Sequence, residues 1–342
     1  MNIKTILNKI LNLVDMNLEE SKYIFNLFME GKISEIEMSG ILIALKSKTE
    51  TKNEILGAAI AMRNKSLNIK SSNFVVDTCG TGGDRSGTLN ISTSAAIVAA
   101  SAGAKIAKHG NRSISSKSGS ADMLEELGYK ISNDVKYLES SLENKNFCFL
   151  FAQNHHLAMK NVINVRKKLG TRTIFNLLGP LTNPARAERQ LLGVYDKKWL
   201  NIHCEVLKDL GSKHALIVHG EDGLDEISLS GISYISELKN SKISEYIFDP
   251  KDYGYTYIDN INIKGGDPKY NAKQFIEMLN GNNQIFQKIV ELNAGATLYI
   301  SGLVNNLKDG FSLANNVIEN KITKNYLETI LESNAKYFKN YM

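Results

Sequence analysis

The stretch with the clearest chemical potential runs from Asp77 to Asp84 and reads Asp-Thr-Cys-Gly-Thr-Gly-Gly-Asp. The apolar run 74–77 predicts a short strand that leads into it. Glycine accepts positive φ and lets main-chain N–H groups approach an anion with no Cβ in the way. A helix opened by hydroxyl residues is predicted from Ser92, and its N-terminus would point at the same place. Together these features indicate a phosphate-binding loop.

The residues around these glycines do not fit the two common nucleotide motifs. A Walker A loop requires Gly-Lys-Ser/Thr after its glycines, and a dinucleotide fingerprint requires glycine where Arg85 stands. Neither ATP nor NAD is therefore the first expectation. A tight strand-to-helix turn without a ligand is the alternative interpretation, but the flanking aspartates and the polar run 88–93 argue against it.

A second polar segment, Lys108 to Ser116, follows the second predicted strand and combines cations, hydroxyls and an amide. In a parallel sheet such a loop lies at the carboxyl edge of the strands, beside residues 79–84. The two loops would then enclose a diphosphate, and an exposed basic turn is the alternative. His109 has no evident carboxylate partner, so packing or hydrogen bonding is expected of it rather than general-base catalysis.

An acidic pair, Asp225 and Glu226, follows the predicted strand Ala215–Val218. Mg²⁺ is typically held by one or two carboxylates together with substrate phosphates and water. Adjacent residues of a regular strand face opposite sides, so both carboxylates reach one ion only if the chain turns there. An exposed turn is the alternative, because aspartate and glycine cluster in this segment.

Arg166 opens a basic run, Arg166-Lys167-Lys168, in the last turn of a helix predicted over 154–170. Cations there complement the helix dipole, which explains all three without a ligand. The functional alternative is that the planar guanidinium of Arg166 grips a carboxylate in bidentate fashion. The next segment, 171–184, carries two of the four prolines and is expected to form a rigid apolar wall beside a pocket.

The N-terminal residues 1–66 show the apolar spacing of helices, as at Ile3, Ile6 and Ile10. Three capping-box patterns then follow and predict helix starts, giving a compact unit of about four helices. They are Asn17-x-x-Glu20, Ser34-x-x-Glu37 and Thr51-x-x-Glu54. The polar stretch 66–73 marks a hinge, so we expect a helical N-terminal domain over 1–68 and an α/β domain over 69–342.

Beyond the hinge, strand and helix patterns alternate, which predicts a mixed, largely parallel sheet flanked by helices. Antiparallel additions are expected between 229 and 265, and closing helices over 270–340. The predicted strands are 74–77, 104–107, 147–151, 191–194 and 215–218, and the predicted helices lie near 92–103, 118–128, 155–169 and 197–210.

The composition is that of an ordinary globular enzyme: 342 residues, 43% hydrophobic, 23% charged, with a net charge of +5. Its lysines are scattered, which favours small anionic ligands over nucleic acid. Three cysteines without Cys-x-x-Cys spacing are typical of a reducing, cytoplasmic setting. The first ten residues lack a signal-peptide core, and the longest apolar run, 95–104, is too short to span a membrane.

Four segments together resemble the anthranilate phosphoribosyltransferase family in order and spacing, over nearly the whole chain. They are Asp77–Asp84, Lys108–Arg112, Arg172–Pro184 and His219–Glu226. The resemblance implies a nucleoside phosphorylase/phosphoribosyltransferase-like fold. It implies transfer of the phosphoribosyl group of phosphoribosyl pyrophosphate (PRPP) to the amino group of anthranilate, in tryptophan biosynthesis. It also implies a homodimer joined through the helical domains, with no nucleic-acid or membrane partner.

The same resemblance implies roles for individual residues, with two Mg²⁺ ions as cofactor and no certain catalytic residue. Mg²⁺ would be served by Ser92, Asp225 and Glu226. Anthranilate would contact Gly80, His109, Asn111, Arg166 and Pro180. PRPP would be held by Gly80, Gly83, Asp84, Thr88, Asn90, Ile91, Ser92, Thr93, Lys108, His109, Gly110, Asn111, Arg112, Ser113, Ile114, Ser115, Ser116 and Ser120.

Three residues depart from the family pattern. Gln153 and Leu157 stand where prolines are common, and Thr49 stands where glycine is frequent. Two other functions are alternatives: a pyrimidine nucleoside phosphorylase, which shares the helical-cap architecture but is generally longer, and a nucleic-acid-binding relative without enzymatic activity. The segment at Asn183-Pro184 disfavours the first, and the intact loops disfavour the second.

Overall fold

The computed structural model describes residues 2–71, 74–84, 86–113 and 117–331. Its N-terminal part is helical, as predicted, and the capping boxes at Asn17 and Ser34 are fully formed. At Thr51 the backbone N–H donates to the Glu54 carboxylate over 2.8 Å. The four helices are α1 (Ile3–Leu11), α2 (Leu18–Glu30), α3 (Glu35–Lys48) and α4 (Lys52–Asn64).

A mixed sheet follows, and in the described part of the chain it has seven strands in the order β3-β2-β1-β4-β5-β6-β7. The first five strands in sequence are parallel, whereas β6 and β7 are antiparallel additions, as the sequence predicts. The strands are β1 (Val76–Gly80), β2 (Ile106–Gly110), β3 (Phe147–Phe151), β4 (Arg189–Gly193), β5 (His214–Gly220), β6 (Ser233–Lys239) and β7 (Lys242–Phe248).

Helices cover both faces of this sheet. Those predicted near 92–103, 118–128 and 197–210 are confirmed within a few residues, and closing helices are confirmed as far as Ile330. They are α5 (Ile91–Ser101), α6 (Ser120–Leu127), α7 (Val135–Lys145), α8 (Ala152–His155), α9 (Lys160–Leu169), α10 (Phe175–Leu178), α11 (Leu200–Asp209), α12 (Pro268–Leu279), α13 (Gln284–Ser301), α14 (Leu307–Glu319) and α15 (Ile322–Ile330).

The two faces of the sheet belong to two hydrophobic cores. Alternation along β4 sends Leu191 into the core beneath α5, α13 and α14, and Leu192 into the core shared with the N-terminal helices. In that second core Phe25 and Phe28 pack against Phe175, with ring centroids 5.8 and 6.4 Å apart. The N-terminal helices thus pack against α10 and share a core with the sheet.

The largest differences from the sequence prediction are at the ends of β1 and β2 and within one helix. β1 and β2 each run about three residues further than predicted, because glycines at their ends stay in the ladder: Gly80 pairs with Gly193, and Gly110 with Phe151. The helix predicted over 155–169 is broken between α8 and α9. There the backbone of His156 leaves helical geometry, at φ −108° and ψ 58°.

No described helix is both long enough and apolar enough to span a membrane. The three cysteines are free and buried.

Candidate active site

The glycine-rich loop leaves the carboxyl end of β1, and its glycines serve two different purposes. Gly82 and Gly83 have φ of +66° and +77°, which L-residues with side chains adopt only with strain. Gly80 is required by space, because a Cβ built on it would lie 2.3 Å from Asp225 Oδ2. The acidic pair therefore lies directly against this loop.

The first turn of α5 lies on the other side of the acidic pair. The Ser92 N–H donates to Glu226 Oε1 over 3.1 Å, and Thr93 Oγ1 is buried without a hydrogen-bond partner in the described part of the chain. The Asn90 side chain caps no N–H of the helix and instead accepts from Asn271 Nδ2 at 2.7 Å. The side chain of Ile91 belongs to the hydrophobic core.

Lys108, His109 and Gly110 lie within strand β2, so the prediction that a loop begins at Lys108 is wrong. Lys108 is only 1% exposed. Its ammonium donates to the Thr78 carbonyl and lies 3.4 Å from Ser92 Oγ. Burial lowers the pKa of Lys108, and nearby acidic groups, among them Glu226, oppose that shift. The Lys108 amine is thus buried close to the acidic pair rather than exposed on a loop.

His109 points from β2 toward the segment that precedes β4. Its Nδ1 lies 3.1 Å from the Gly179 carbonyl, next to Pro180, so Nδ1 carries the proton and Nε2 is an acceptor. Nε2 is buried with no partner among the described residues. Burial holds the pKa of His109 well below its usual range, so the ring is neutral. This agrees with the expectation that His109 is a hydrogen-bonding residue.

The loop after β2 is held by side chains of α6. Arg112 is paired with Glu125, at 2.5 and 2.7 Å, and with Asp122 at 3.0 Å. Asn111 Oδ1 accepts from the Arg112 N–H at 2.8 Å and from Gln153 Nε2 at 3.4 Å. The Arg112 guanidinium therefore contacts carboxylates in this structure.

The remaining residues assigned to PRPP by resemblance are placed as follows. The Ser113 N–H donates to Asp122 over 3.0 Å, Ser120 opens α6, and Thr88 forms an isolated bridge with Lys264. Ile114, Ser115 and Ser116 lie outside the described residues.

The acidic pair lies half-buried at the carboxyl edge of β1 and β4. Asp225 accepts from the Gly82 N–H over 2.8 Å. Burial, followed by the charge of Asp84, raises the pKa of Asp225 to about 7. Burial, followed by the charge of Asp225, raises the pKa of Glu226 to about 8. Both shifts have the direction expected for two carboxylates in one confined space, where Lys108 and the Ser92 N–H offset only part of their mutual repulsion.

This donor set fits a hard cation that brings additional ligands. Carboxylate oxygens and the Ser92 hydroxyl are what Mg²⁺ prefers, and the cost of burying the charges is what a cation would relieve. No cluster of three or more His, Cys, Asp or Glu in the described ranges is arranged to hold a metal unaided. Substrate phosphate and water would therefore complete the shell of a magnesium ion here.

Arg166 lies on α9 with its guanidinium over the Phe175 ring, 5.6 Å from the centroid. Burial lowers its pKa, and no carboxylate of the described residues contributes to that shift. Its neighbour Lys168 instead pairs with Glu35 over 2.8 Å at the surface. Of the basic run, Arg166 alone is turned inward, as a cation available for an anionic ligand.

Sequence reasoning missed two contributors to this site. Arg172 donates to the Gly83 carbonyl, and its guanidinium stacks 4.1 Å from the Tyr195 ring centroid. Asp77 is buried in β1 and accepts from the His109 N–H over 3.0 Å. The only signal for Arg172 was its place at the start of the proline-containing segment 171–184, and Asp77 was noted only as a flank of the glycines.

Comparison with known proteins gives two family matches that together span most of the chain. A model of the α/β domain of a glycosyl transferase family matches residues 72–321, and a model of that family's helical bundle domain matches residues 4–66.

Individual relatives are similar over almost their full length. A protein of Thermoanaerobacter sp. (strain X514) named anthranilate phosphoribosyltransferase is 46% identical, and the match covers 95% of this chain and 97% of that protein. The crystal structure of anthranilate phosphoribosyltransferase from Thermus thermophilus has a TM-score of 0.89 and 36% identity, covering 97% of this chain and 99% of that one. The Saccharomyces cerevisiae enzyme in complex with PRPP and Mg has a TM-score of 0.81 and 27% identity, covering 95% and 92%.

Proposed function

The chain belongs to the anthranilate phosphoribosyltransferase family, and from that membership we infer its reaction. It transfers the phosphoribosyl group of PRPP to the amino group of anthranilate and releases pyrophosphate, a step of tryptophan biosynthesis. The observation that carries this conclusion is 46% identity, over 95% of the chain, to a relative of that name. The glycine-rich loop beside a half-buried acidic pair is the local feature that this chemistry requires.

For PRPP we propose a site between the loop after β1, the first turn of α5 and the residues at the end of β2. Support comes from Gly82 and Gly83 at positive φ and from the helix N-terminus, both of which suit a diphosphate. Arg112 would exchange its carboxylate contacts on α6 for a phosphate oxygen, since its own side chain and that of Glu125 are exposed.

For Mg²⁺ we propose Asp225, Glu226 and Ser92 as protein ligands, with two ions bound together with the diphosphate. When bound, the metal neutralises charge that develops on the departing pyrophosphate. The chain's own contribution is to hold both carboxylates in one half-buried turn, with Lys108 close enough to limit their mutual repulsion. The raised pKa of each carboxylate means that protons and metal compete for the pair.

For anthranilate we propose a pocket formed by Arg166, His109 and Asn111, with Gly80 and Pro180 beside them. Arg166 binds the carboxylate, because it is an inward-facing cation with no internal ion pair in the described structure. His109 Nε2 is a fixed acceptor that can take one N–H of the amino group and so aim the nitrogen lone pair.

No strong base is needed in this mechanism. An aryl amine is a weak base and is unprotonated at neutral pH, so its lone pair is already available. Catalysis then comes from stabilising the leaving group with fixed N–H dipoles, while charge develops on an oxocarbenium-like ribose. Placing the amine by Arg166 and His109 supplies the remaining part.

We further propose that the chain forms a cytoplasmic homodimer through its helical domain, residues 1–68, with catalysis in residues 69–342. Support comes from apolar side chains exposed at the end of α1, on the link after it and on α3: Leu11, Leu13, Val14, Ile36 and Ile43. Apolar side chains exposed together on a surface often mark a protein–protein interface.

Loss of anthranilate fluorescence tests the reaction directly. We expect the signal to fall only when enzyme, PRPP and Mg²⁺ are all present. A decrease without PRPP, or none with the complete mixture, would argue against the assignment.

A further inference from the structure

Asn293 lies fully buried in the middle of α13, and its side-chain amide meets the backbone of Ile227, the residue after Glu226. The Ile227 N–H donates to Asn293 Oδ1 over 3.0 Å, and Asn293 Nδ2 donates to the Ile227 carbonyl over 3.0 Å. This closed pair of bonds resembles the paired bonds of two antiparallel strands. The Asn293 side chain thus binds both the backbone N–H and the backbone carbonyl of Ile227.

The amide of Asn293 is itself anchored. Its Nδ2 also donates to the Ile289 carbonyl over 2.9 Å, one turn earlier in α13. The same helix packs along α5 and against β4. Because α5 supplies Ser92 and β4 supplies Gly193, one rigid helix sets the position of Ile227 relative to both neighbours of the acidic pair.

The other hydrogen bonds of the turn at residues 222–228 do not hold the backbone next to Glu226. On the sheet side, the Gly82 and Ser92 N–H groups bond to carboxylate oxygens, and a bound cation would compete for those oxygens. On the far side, Ser228 Oγ donates to Asp222 Oδ2 over 2.7 Å, which closes the ends of the turn but does not touch its centre. The Asn293 pair holds the backbone directly after Glu226 without using a carboxylate oxygen, and one residue further on the Ser228 N–H bonds to Ser233 Oγ over 2.9 Å.

We propose that Asn293 is a positioning residue for the metal-binding pair Asp225 and Glu226, acting through the backbone of Ile227. It touches neither the metal nor substrate, and this inference rests on the proposed metal role of the pair. Groups behind metal ligands fix ligand orientation, and their loss weakens metal binding rather than substrate selectivity. Loss of the amide would let the turn shift while leaving the anthranilate pocket intact.

A purely structural role is the competing explanation, since any buried asparagine must be hydrogen-bonded. Thr297 provides the matched control. It is also fully buried in α13, one turn after Asn293, and its hydroxyl donates to the Asn293 carbonyl over 2.7 Å. Thr297→Val removes a buried hydrogen bond from the same helix without touching residues 222–228.

The test uses Mn²⁺ as a spectroscopic probe, titrated into the full chain with PRPP and followed by electron paramagnetic resonance. We expect Asn293→Leu and Asn293→Gln to raise the Mn²⁺ dissociation constant about ten- to hundredfold. Thr297→Val should leave it unchanged, although its thermal stability also falls. The KM for anthranilate should stay at the wild-type value in all three variants.

Asn293→Gln keeps an amide and gives a folded comparison if Asn293→Leu does not fold. Wild-type Mn²⁺ affinity in a folded Asn293 variant, or an equal loss in Thr297→Val, overturns the proposal. A further variant, Asp225→Asn, distinguishes a wrong role for Asn293 from a wrong assignment of the metal site. If Asp225→Asn binds Mn²⁺ as tightly as the wild type, the pair is not the metal site at all.

Discussion

The backbone of Asp225 crosses Gly193 so closely that a Cβ built on Gly193 would lie 1.5 Å from the Asp225 carbonyl oxygen. Gly193 pairs in register with Gly80, whose own Cβ would meet the Asp225 carboxylate. The acidic turn thus packs directly against the backbone of two glycines on adjacent strands. The position of the carboxylates depends on the absence of side chains beneath them.

Gly193→Ala should therefore displace the acidic turn. We expect a loss of stability of about 1–3 kcal/mol from overpacking, together with a fall in turnover of at least about tenfold. Denaturant unfolding and steady-state rates measure the two effects. Gly40→Ala is the control, because a Cβ there lies 3.9 Å from Leu7 and an alanine within helix α3 should stabilise. Normal activity in Gly193→Ala would contradict the close approach.

Arg166→Ala should raise the KM for anthranilate far more than that for PRPP. A charge-assisted hydrogen bond to a carboxylate contributes about 1.5–3 kcal/mol, which corresponds to an increase of about ten- to hundredfold. Lys167→Ala, at the exposed position next along α9, should leave both constants unchanged. Steady-state kinetics with each substrate varied decides the matter, and equal effects on both substrates would argue against the assigned role.

The half-buried acidic pair predicts a stability that depends on pH. The ordinary pKa values are about 3.9 for aspartate and 4.3 for glutamate. Burial raises them to about 7 for Asp225 and about 8 for Glu226. The folded protein therefore holds these protons more tightly than the unfolded chain. The resulting stability is complete below about pH 4 and is lost as pH rises through about 7–8.

The double variant Asp225→Asn, Glu226→Gln removes this penalty. Without metal, we expect it to melt at a higher temperature than the wild type at pH 9, while the two proteins differ little at pH 5. It should also lose Mg²⁺-dependent turnover. Thermal unfolding in the presence of a chelator measures the first effect. A double variant that is less stable than the wild type at pH 9 would show that the ionised pair does not destabilise the folded protein.

Thr49 joins α3 to α4 with φ +76° and ψ 127°, a conformation that a β-branched residue adopts only with strain. Thr49→Gly should relieve this strain and stabilise the protein by about 1–3 kcal/mol. Thr51→Gly, two residues later at an extended N-cap position, should not stabilise it. Chemical denaturation of the two variants gives the comparison, and a destabilised Thr49→Gly would rule out backbone strain at this position.

Local patterns made much of this molecule predictable. The capping boxes at Asn17 and Ser34 involve residues three apart, so the sequence alone specifies them. The glycine-rich loop and the acidic pair could also be singled out from short segments, although for the pair an exposed turn was an equally simple interpretation of the sequence. The alternation of strands and helices likewise predicted a largely parallel sheet.

What could not be predicted depends on partners distant in sequence. A lysine is expected on a loop, yet Lys108 is buried in β2, where the Thr78 carbonyl, 30 residues earlier, accepts a hydrogen bond from its ammonium group. Asn293 meets Ile227 across 66 residues, with no local pattern to mark it. The break before α9 lies beside another distant contact, in which His155 Nδ1 donates to the Leu67 carbonyl over 2.8 Å. Such contacts follow only from the tertiary fold.

A crystal structure of the complex with PRPP and Mg²⁺ tests the central claim most directly. We expect the diphosphate between residues 80–84 and the first turn of α5, with Mg²⁺ bound by Asp225 and Glu226. A diphosphate bound elsewhere, or a metal that contacts neither carboxylate, would contradict this account of the site.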